Sequence, residues 1–203
     1  MDTPRKAPQQ QRSRLTVERI LEVAAQLFEE DGLETTTNDV ALAAGCSIGT
    51  LYQYFPNKRA LLYALALEHV RSVSTMLEVT FARLTDTDTS WEKTVRSISA
   101  AVVEAHADRP ALHALMYEQT PRESDAGALL AEFREQTVCA LEMQLRRCGQ
   151  GGAVPRRTAE MMYHAAEAQL HHVLLDADDA AEQLTRVLLA IAESAATGGN
   201  RGV

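Results

Sequence analysis

Residues Thr36–Lys58 read TTNDVALAAGCSIGTLYQYFPNK, and this stretch decides the fold. Thr37 is a hydroxyl residue suited to cap a helix start. From Asn38 to Ala44 the chain carries Val40 and the small residues Ala41, Ala43 and Ala44. Gly45 ends that helix, because glycine enters the left-handed cap conformation without a Cβ clash. Ser47 caps the next start after a three-residue turn, Ile48 to Phe55 forms a second short helix, and Pro56 stops it. Two short helices joined by a Gly-containing turn form a helix-turn-helix.

The second helix is unusual for a buried one. Leu51 and Phe55, four residues apart, face inward together, and Gly49, Thr50, Tyr52, Gln53 and Tyr54 cover the rest of the circumference. A short helix offering hydroxyls, an amide and aromatic edges, with one point of close backbone approach, suits a DNA major groove. Lys58, at the start of the next helix, combines its ammonium with a helix N-terminus, and both favour phosphate.

The string TTNDVALAAGCSIGTLYQYFPNKRALL resembles the helix-turn-helix of the TetR family of bacterial transcriptional regulators, and the resemblance runs without a gap from Ile20 to Leu62. By alignment with the family motif, it implies phosphate contacts from Thr37, Thr50, Tyr54 and Lys58. It implies base contacts from Asn38, Ser47, Ile48, Tyr52 and Gln53, with Gly49 permitting close approach. Cys46 lies in the turn where the family usually has a small apolar residue.

Working outward, the 203 residues suffice for one or two domains with a buried core. The chain is 46% hydrophobic and 24% charged but only 5% aromatic, and its apolar residues are mostly Ala, Leu and Val, which favours helices. No apolar run reaches the ~20 residues of a membrane span, and the N-terminus carries no secretion-like apolar segment, so a cytoplasmic protein is expected. Cys46, Cys139 and Cys148 suggest neither a disulfide framework nor a zinc spacing. Net charge is −8, unevenly spread: residues 1–63 hold seven Lys/Arg against eight Asp/Glu, and the remainder 13 against 20. The DNA-binding end is thus basic at its arm and at Lys58 and Arg59, and the acidic remainder should be held off a duplex.

Residues 1–14 are polar, basic and Gln-rich, and are expected to be a disordered arm. Entry into a minor groove, travel along phosphates and a plain solvated tail all fit this composition. A first helix is predicted over Thr16–Glu30 from the stripe Ile20, Val23, Ala24, Leu27 and Phe28. A long fourth helix, from Asn57 to about Leu84, has no Gly or Pro inside and should connect two domains. Thr89 with Glu92 suggests a capping box for a fifth helix, and Asp108 with Pro110 the start of a short sixth ended by Pro121. A seventh is predicted over Asp125–Cys148, an eighth from Pro155 to about Asp176, and a ninth from Asp179 with a second Asp179–Glu182 capping box, ending in a frayed tail. Nothing reads as a strand. The expectation is an all-α chain of about nine helices: a basic arm (1–14), a helix-turn-helix domain (15–60) and a larger helical domain for ligand binding and dimerisation (61–203).

The eighth and ninth helices are alanine-rich with a broad apolar face, which points to a partner helix pair. In the TetR family the last two helices usually form the homodimer interface, so Met162, Ala166, Gln169, Val173, Leu184, Leu188 and Ile191 are the expected interface residues. A twofold dimer would read a palindromic double-stranded DNA operator. TetR-like proteins generally bind a small molecule in this domain. Trp91, Met116, Tyr117, Phe133, Gln136, Met143 and Tyr163 are candidate walls, and their chemistry predicts a hydrophobic or amphipathic effector. His164, Glu167, His171 and His172 crowd the eighth helix, but their spacing matches no zinc motif, and His106 and His113 are equally unspecific. No cofactor, metal site or catalytic residue is expected. The sequence thus predicts a ligand-responsive repressor. An activating or ligand-independent DNA-binding regulator is the alternative, and an all-α metal-dependent enzyme using His164, Glu167 and His171 stands far behind.

Overall fold

The computed structural model describes residues 11–85, 88–119, 125–174 and 177–198. Among them lie nine α-helices, one 3-10 turn (Gly32–Glu34) and no strand. The helices are α1 Gln11–Asp31, α2 Thr37–Ala43, α3 Ile48–Tyr54, α4 Lys58–Thr85, α5 Trp91–Ala107, α6 Pro110–Gln119, α7 Asp125–Arg147, α8 Pro155–His172 and α9 Ala180–Gly198.

Several starts differ from the sequence expectation for local reasons. Helix α1 begins at Gln11 rather than Thr16, so residues 11–14 of the expected arm are helical; Gln and Arg are good helix formers, and no Gly or Pro interrupts the run. Residues 1–10 of the arm lie outside the described residues, as do Pro121 and the chain end 199–203. Thr36, not Thr37, caps α2. Its Oγ1 accepts from Asp39 N–H (3.2 Å) while Asp39 Oδ2 accepts from Thr36 N–H (3.0 Å), a reciprocal capping box. Ser90, not Thr89, caps α5 by accepting from Lys93 N–H. The Thr89 carbonyl is instead taken by Arg147 (3.0 Å). Asp179, just before α9, accepts from the Gln183 side chain and pairs with Arg186.

The chain divides into two compact units. The first contains the described part of residues 1–69 with 109–127, the second that of 70–108 with 128–203. In the first unit, Ile20, Ala24 and Phe28 of α1 recur every four residues and meet Val40 and Ala41 of α2, Leu51 of α3, Phe55, and Leu61 and Leu62 of α4 in one core. Leu112 and Met116 of α6 belong to this same core. Helix α6, expected with the larger domain, therefore packs in the helix-turn-helix unit. Its start is held by α1: Leu112 N–H donates to Glu29 Oε2 (2.7 Å), Ala111 N–H approaches Glu29 Oε1 (3.4 Å), and Arg109 pairs with Glu22 (2.7 Å).

The second unit is built on Val73, Leu77, Phe81 and Leu84 of α4, Val95, Ile98 and Val102 of α5, Val138, Leu141 and Leu145 of α7, and the inner faces of α8 and α9. Helix α9 packs along both α5 and α8. A partly buried polar link joins three elements: Gln144 donates to Thr85 (3.0 Å) and accepts from Arg147 (2.8 Å), which also donates to Thr94 (2.9 Å). Gly152 (φ +63°) lets the α7–α8 loop press on α9, since a Cβ there would lie 2.3 Å from the Ala195 carbonyl oxygen.

This packing corrects part of the expected dimer interface. Met162, Leu184 and Leu188 are 1%, 0% and 3% exposed, and they fill the second unit's own core. The apolar stripe on α9 is satisfied within the chain by α5 and α8. Ala166, Gln169 and Ile191 remain half-exposed and Val173 is exposed.

Candidate nucleic-acid interface

Local hydrogen bonding fixes α3 against α2. The α2 end is a Schellman turn: Cys46 N–H donates to the Ala41 carbonyl (3.0 Å) and Gly45 N–H to Leu42 (3.1 Å), with Gly45 at φ +63°. The Arg19 guanidinium lies against Gly45, 3.3 Å from where a Cβ would stand. Ser47 caps α3, its Oγ accepting from Thr50 N–H (3.0 Å) and sharing a hydrogen bond with the Thr50 hydroxyl (2.8 Å). Across the pair, the Thr37 hydroxyl and the Tyr52 phenol are 3.1 Å apart. Leu51 and Phe55 anchor the opposite side of α3 in the core.

The result is a pinned helix with a solvent-facing surface. Asn38, Ser47, Ile48, Gly49, Tyr52 and Gln53 are exposed, whereas Thr37 and Thr50 are half-exposed. Tyr54 is half-buried, packing on the core beside the Phe55 ring (centroids 6.5 Å). Lys58, at the α4 start, donates its ammonium to the Leu33 carbonyl. One residue with no signal of its own in the sequence is Leu42, 82% exposed on α2. It follows Ala41 by one residue and Val40 by two, and the 100° turn per residue carries it off the buried face.

Two titrating groups here are displaced from their ordinary values. Hydrogen bonds from the Thr36 side chain and backbone hold the Asp39 carboxyl below the usual carboxylate range. Partial burial pushes the Cys46 thiol up, opposed by the charge of Arg19, so the thiol stays protonated at neutral pH and is poorly suited to a thiolate switch.

The expected effector walls do not all converge. In the second unit a groove of about 380 Å³ runs between α4 (Val70, Arg71, Ser74, Thr75, Glu78) and α7 (Leu129, Glu132, Phe133, Gln136). Phe133 and Gln136 were expected there, and Tyr163 packs edge-on to Phe133 (6.4 Å). Trp91 packs on the same unit's core, its indole nitrogen buried without a hydrogen-bond partner among the described residues. Met143 is 59% exposed on α7 and does not line this groove. Met116 and Tyr117 belong to the first unit, carried there by α6. Arg71, Glu78 and Glu132 make the groove more polar than the sequence suggested, because their exposed positions on α4 and α7 become facing walls only after packing.

The α8 histidines also separate. His164 pairs with Glu167 (3.4 Å) on an exposed surface, whereas His171 turns its ring to His106 of α5 (5.1 Å). They therefore do not gather into the metal-dependent centre of the enzyme alternative.

A short, pinned helix with an open polar face, following a glycine-broken turn and set in a three-helix core, defines a helix-turn-helix DNA-binding unit. Residues 20–65 match the family described as bacterial regulatory proteins, tetR family, and residues 90–193 match the tetracyclin repressor-like C-terminal domain. The chain belongs to the TetR family of bacterial regulators. It is similar to an HTH-type transcriptional regulator of Mycobacterium tuberculosis, 38% identical over 72 residues, which is 35% of this chain and 36% of that protein. The matched region thus spans about a third of that relative's length. The nucleoid occlusion factor SlmA of Actinobacillus pleuropneumoniae is 29% identical over 160 residues, 75% of this chain and 77% of SlmA. A crystal structure of a TetR-family transcriptional regulator from Mesorhizobium loti shares the fold, with TM-score 0.67 and 18% identity over 93% of this chain and 98% of that one. The protein is a DNA-binding transcriptional regulator rather than an enzyme. Among the described residues no helix is long and apolar enough to cross a membrane.

Proposed function

We propose that the protein is a cytoplasmic homodimeric repressor that reads a palindromic operator and releases it on binding a small amphipathic effector. The observation that carries the DNA-reading part is the outer face of α3: Ser47, Ile48, Gly49, Tyr52 and Gln53 are exposed while Leu51 is fully buried. Base contacts are assigned to Asn38, Ser47, Ile48, Tyr52 and Gln53. Phosphate contacts are assigned to Thr37, Thr50, Tyr54 and Lys58. Lys58 is the strongest of these, because its ammonium is already oriented by the Leu33 carbonyl.

Dimerisation is assigned to the outer surfaces of α8 and α9, through Ala166, Gln169, Val173 and Ile191, which the chain itself leaves accessible. The effector is assigned to the α4–α7 groove, whose apolar Val70, Leu129 and Phe133 alternate with Arg71, Glu78 and Glu132. Release follows if the effector binds a DNA-incompetent state more tightly than the competent one; equal affinity would shift nothing. A second reading, prompted by the similarity to SlmA, whose name is that of a nucleoid occlusion factor, is a DNA-binding regulator that works without a ligand.

Selection of bound sequences from a random duplex pool tests the core of this reading. A palindrome with half-sites about one helical turn, or a multiple, apart is expected. Enrichment of no sequence, or of a single half-site by a protein that sediments as a monomer, would overturn it. Loss of operator binding on titration with amphipathic compounds separates the effector reading from the effector-free one.

A further inference from the structure

We propose that His69 and His113 form a binding site for a divalent transition metal inside the DNA-binding unit. The two rings come from different helices, α4 and α6, with centroids 4.2 Å apart and planes at 56°. Their ligating nitrogens lie within 4.8 Å of each other. Two imidazoles on one tetrahedral ion at the usual metal–nitrogen length stand roughly 3.3 Å apart, which small rotations of the rings reach.

The surroundings half-enclose the pair. His113 is 7% exposed on the buried face of α6, flanked by Leu112 and Met116 of the first unit's core. His69 is half-buried. Imidazole nitrogens of this kind are the ligands that zinc, copper and nickel take. Neither helix is free to swing away. The amide of Leu112, next to His113, is fixed on Glu29 of α1, and Ala60 to Leu65 lock the start of α4 into the core.

The consequence is mechanical. Helix α4 begins at Lys58, beside the DNA-reading face, and α6 is capped by α1. A metal on His69 and His113 ties these helices together and stiffens the support of α3. This inference rests on the geometry of the first unit alone and stands independently of the effector reading.

The test uses the full-length protein, stripped with a chelator and titrated with Zn²⁺, and with Co²⁺ as a visible-absorbing probe. One equivalent per chain is expected, with a nitrogen-ligand Co²⁺ spectrum and a raised unfolding midpoint. His69→Ala and His113→Ala should each weaken binding by roughly 100-fold or more, since losing a ligand exceeds the 10–100-fold loss of a supporting residue. His164→Ala, on the exposed surface of α8, should bind as the parent does. Because His113 is buried, circular dichroism must confirm that its variant folds; His69→Ala, at a half-exposed position, carries the test if it does not. Metal affinity unchanged in folded His69→Ala, or lost in His164→Ala, would overturn the proposal.

Discussion

Glu29 of α1 is the hinge on which the placement of α6 turns, and Glu29→Ala tests it. Its carboxylate accepts from Leu112 N–H at 2.7 Å and lies 3.4 Å from Ala111 N–H, at the first turn of α6. A hydrogen bond to a charged acceptor contributes about 1.5–3 kcal/mol. The negative charge at a helix N-terminus adds about 0.3–1 kcal/mol. The 3.4 Å contact is long and adds little, so a total near 2–3 kcal/mol is expected for docking α6 onto α1. The adjacent Arg109–Glu22 pair is a contrast: Glu22 is 57% exposed, so Glu22→Ala should cost about 1 kcal/mol at most. Peptide-resolved hydrogen exchange reads both variants without assuming two-state unfolding of a two-unit chain. Opening of α6 should accelerate by roughly 30–150-fold in Glu29→Ala, at about 1.4 kcal/mol per decade. The acceleration should be only a few-fold in Glu22→Ala, and Glu29→Gln should fall between. Equal exchange of α6 in Glu29→Ala and the parent would refute the idea that this cap holds the helix in the DNA-binding unit.

Lys58→Ala should weaken binding to all duplexes and lower the salt slope by about one unit, whereas Gln53→Ala should relax preference at one base pair at about 1–3 kcal/mol; indistinguishable behaviour on specific and random DNA would reject both assignments. Leu188→Asp places a charge in the second unit's core, so circular dichroism should report lost structure and several kcal/mol of destabilisation rather than a folded monomer. Gly152→Ala forces a Cβ against the Ala195 carbonyl at a left-handed backbone, and its thermal midpoint should drop by several degrees; an unchanged midpoint would mean the loop is not pressed on α9. Burial pushes the His106 imidazole below its ordinary value, so the folded state resists protonation more than the unfolded chain. That stability is full above the unfolded pKa of about 6.5 and is lost as pH falls through the folded pKa, at up to about 1.36 kcal/mol per pH unit. Urea titrations between pH 7 and pH 5 should show a shallower loss in His106→Gln, and parallel curves would remove His106 as a source.

The helix-turn-helix was legible in the sequence because its signals are short-range. Gly45, Ser47, Leu51, Phe55 and Pro56 act within a turn or two of their own positions, so their order alone writes the motif. Even there, the run of threonines left the α2 cap one residue off; only the register with Asp39, which closes the box on Thr36, settles it. The long helix α4, and the absence of strands among the described residues, followed from periodicity in the same way. Partner choice did not. Leu112 and Met116 announce that α6 buries a face, yet nothing near them says that the face is α1, because Glu29 lies more than eighty residues away. The stripe Leu184, Leu188 and Ile191 read as an interface, but Leu184 and Leu188 are covered by the chain's own α5 and α8. The α4–α7 groove and the His69–His113 pair likewise exist only once distant helices meet. The division has one physical cause. Caps and turns are directional hydrogen bonds between near neighbours, which neighbouring residues encode. Hydrophobic burial is non-directional, so an apolar stripe specifies that it must be covered and leaves to the tertiary structure what covers it.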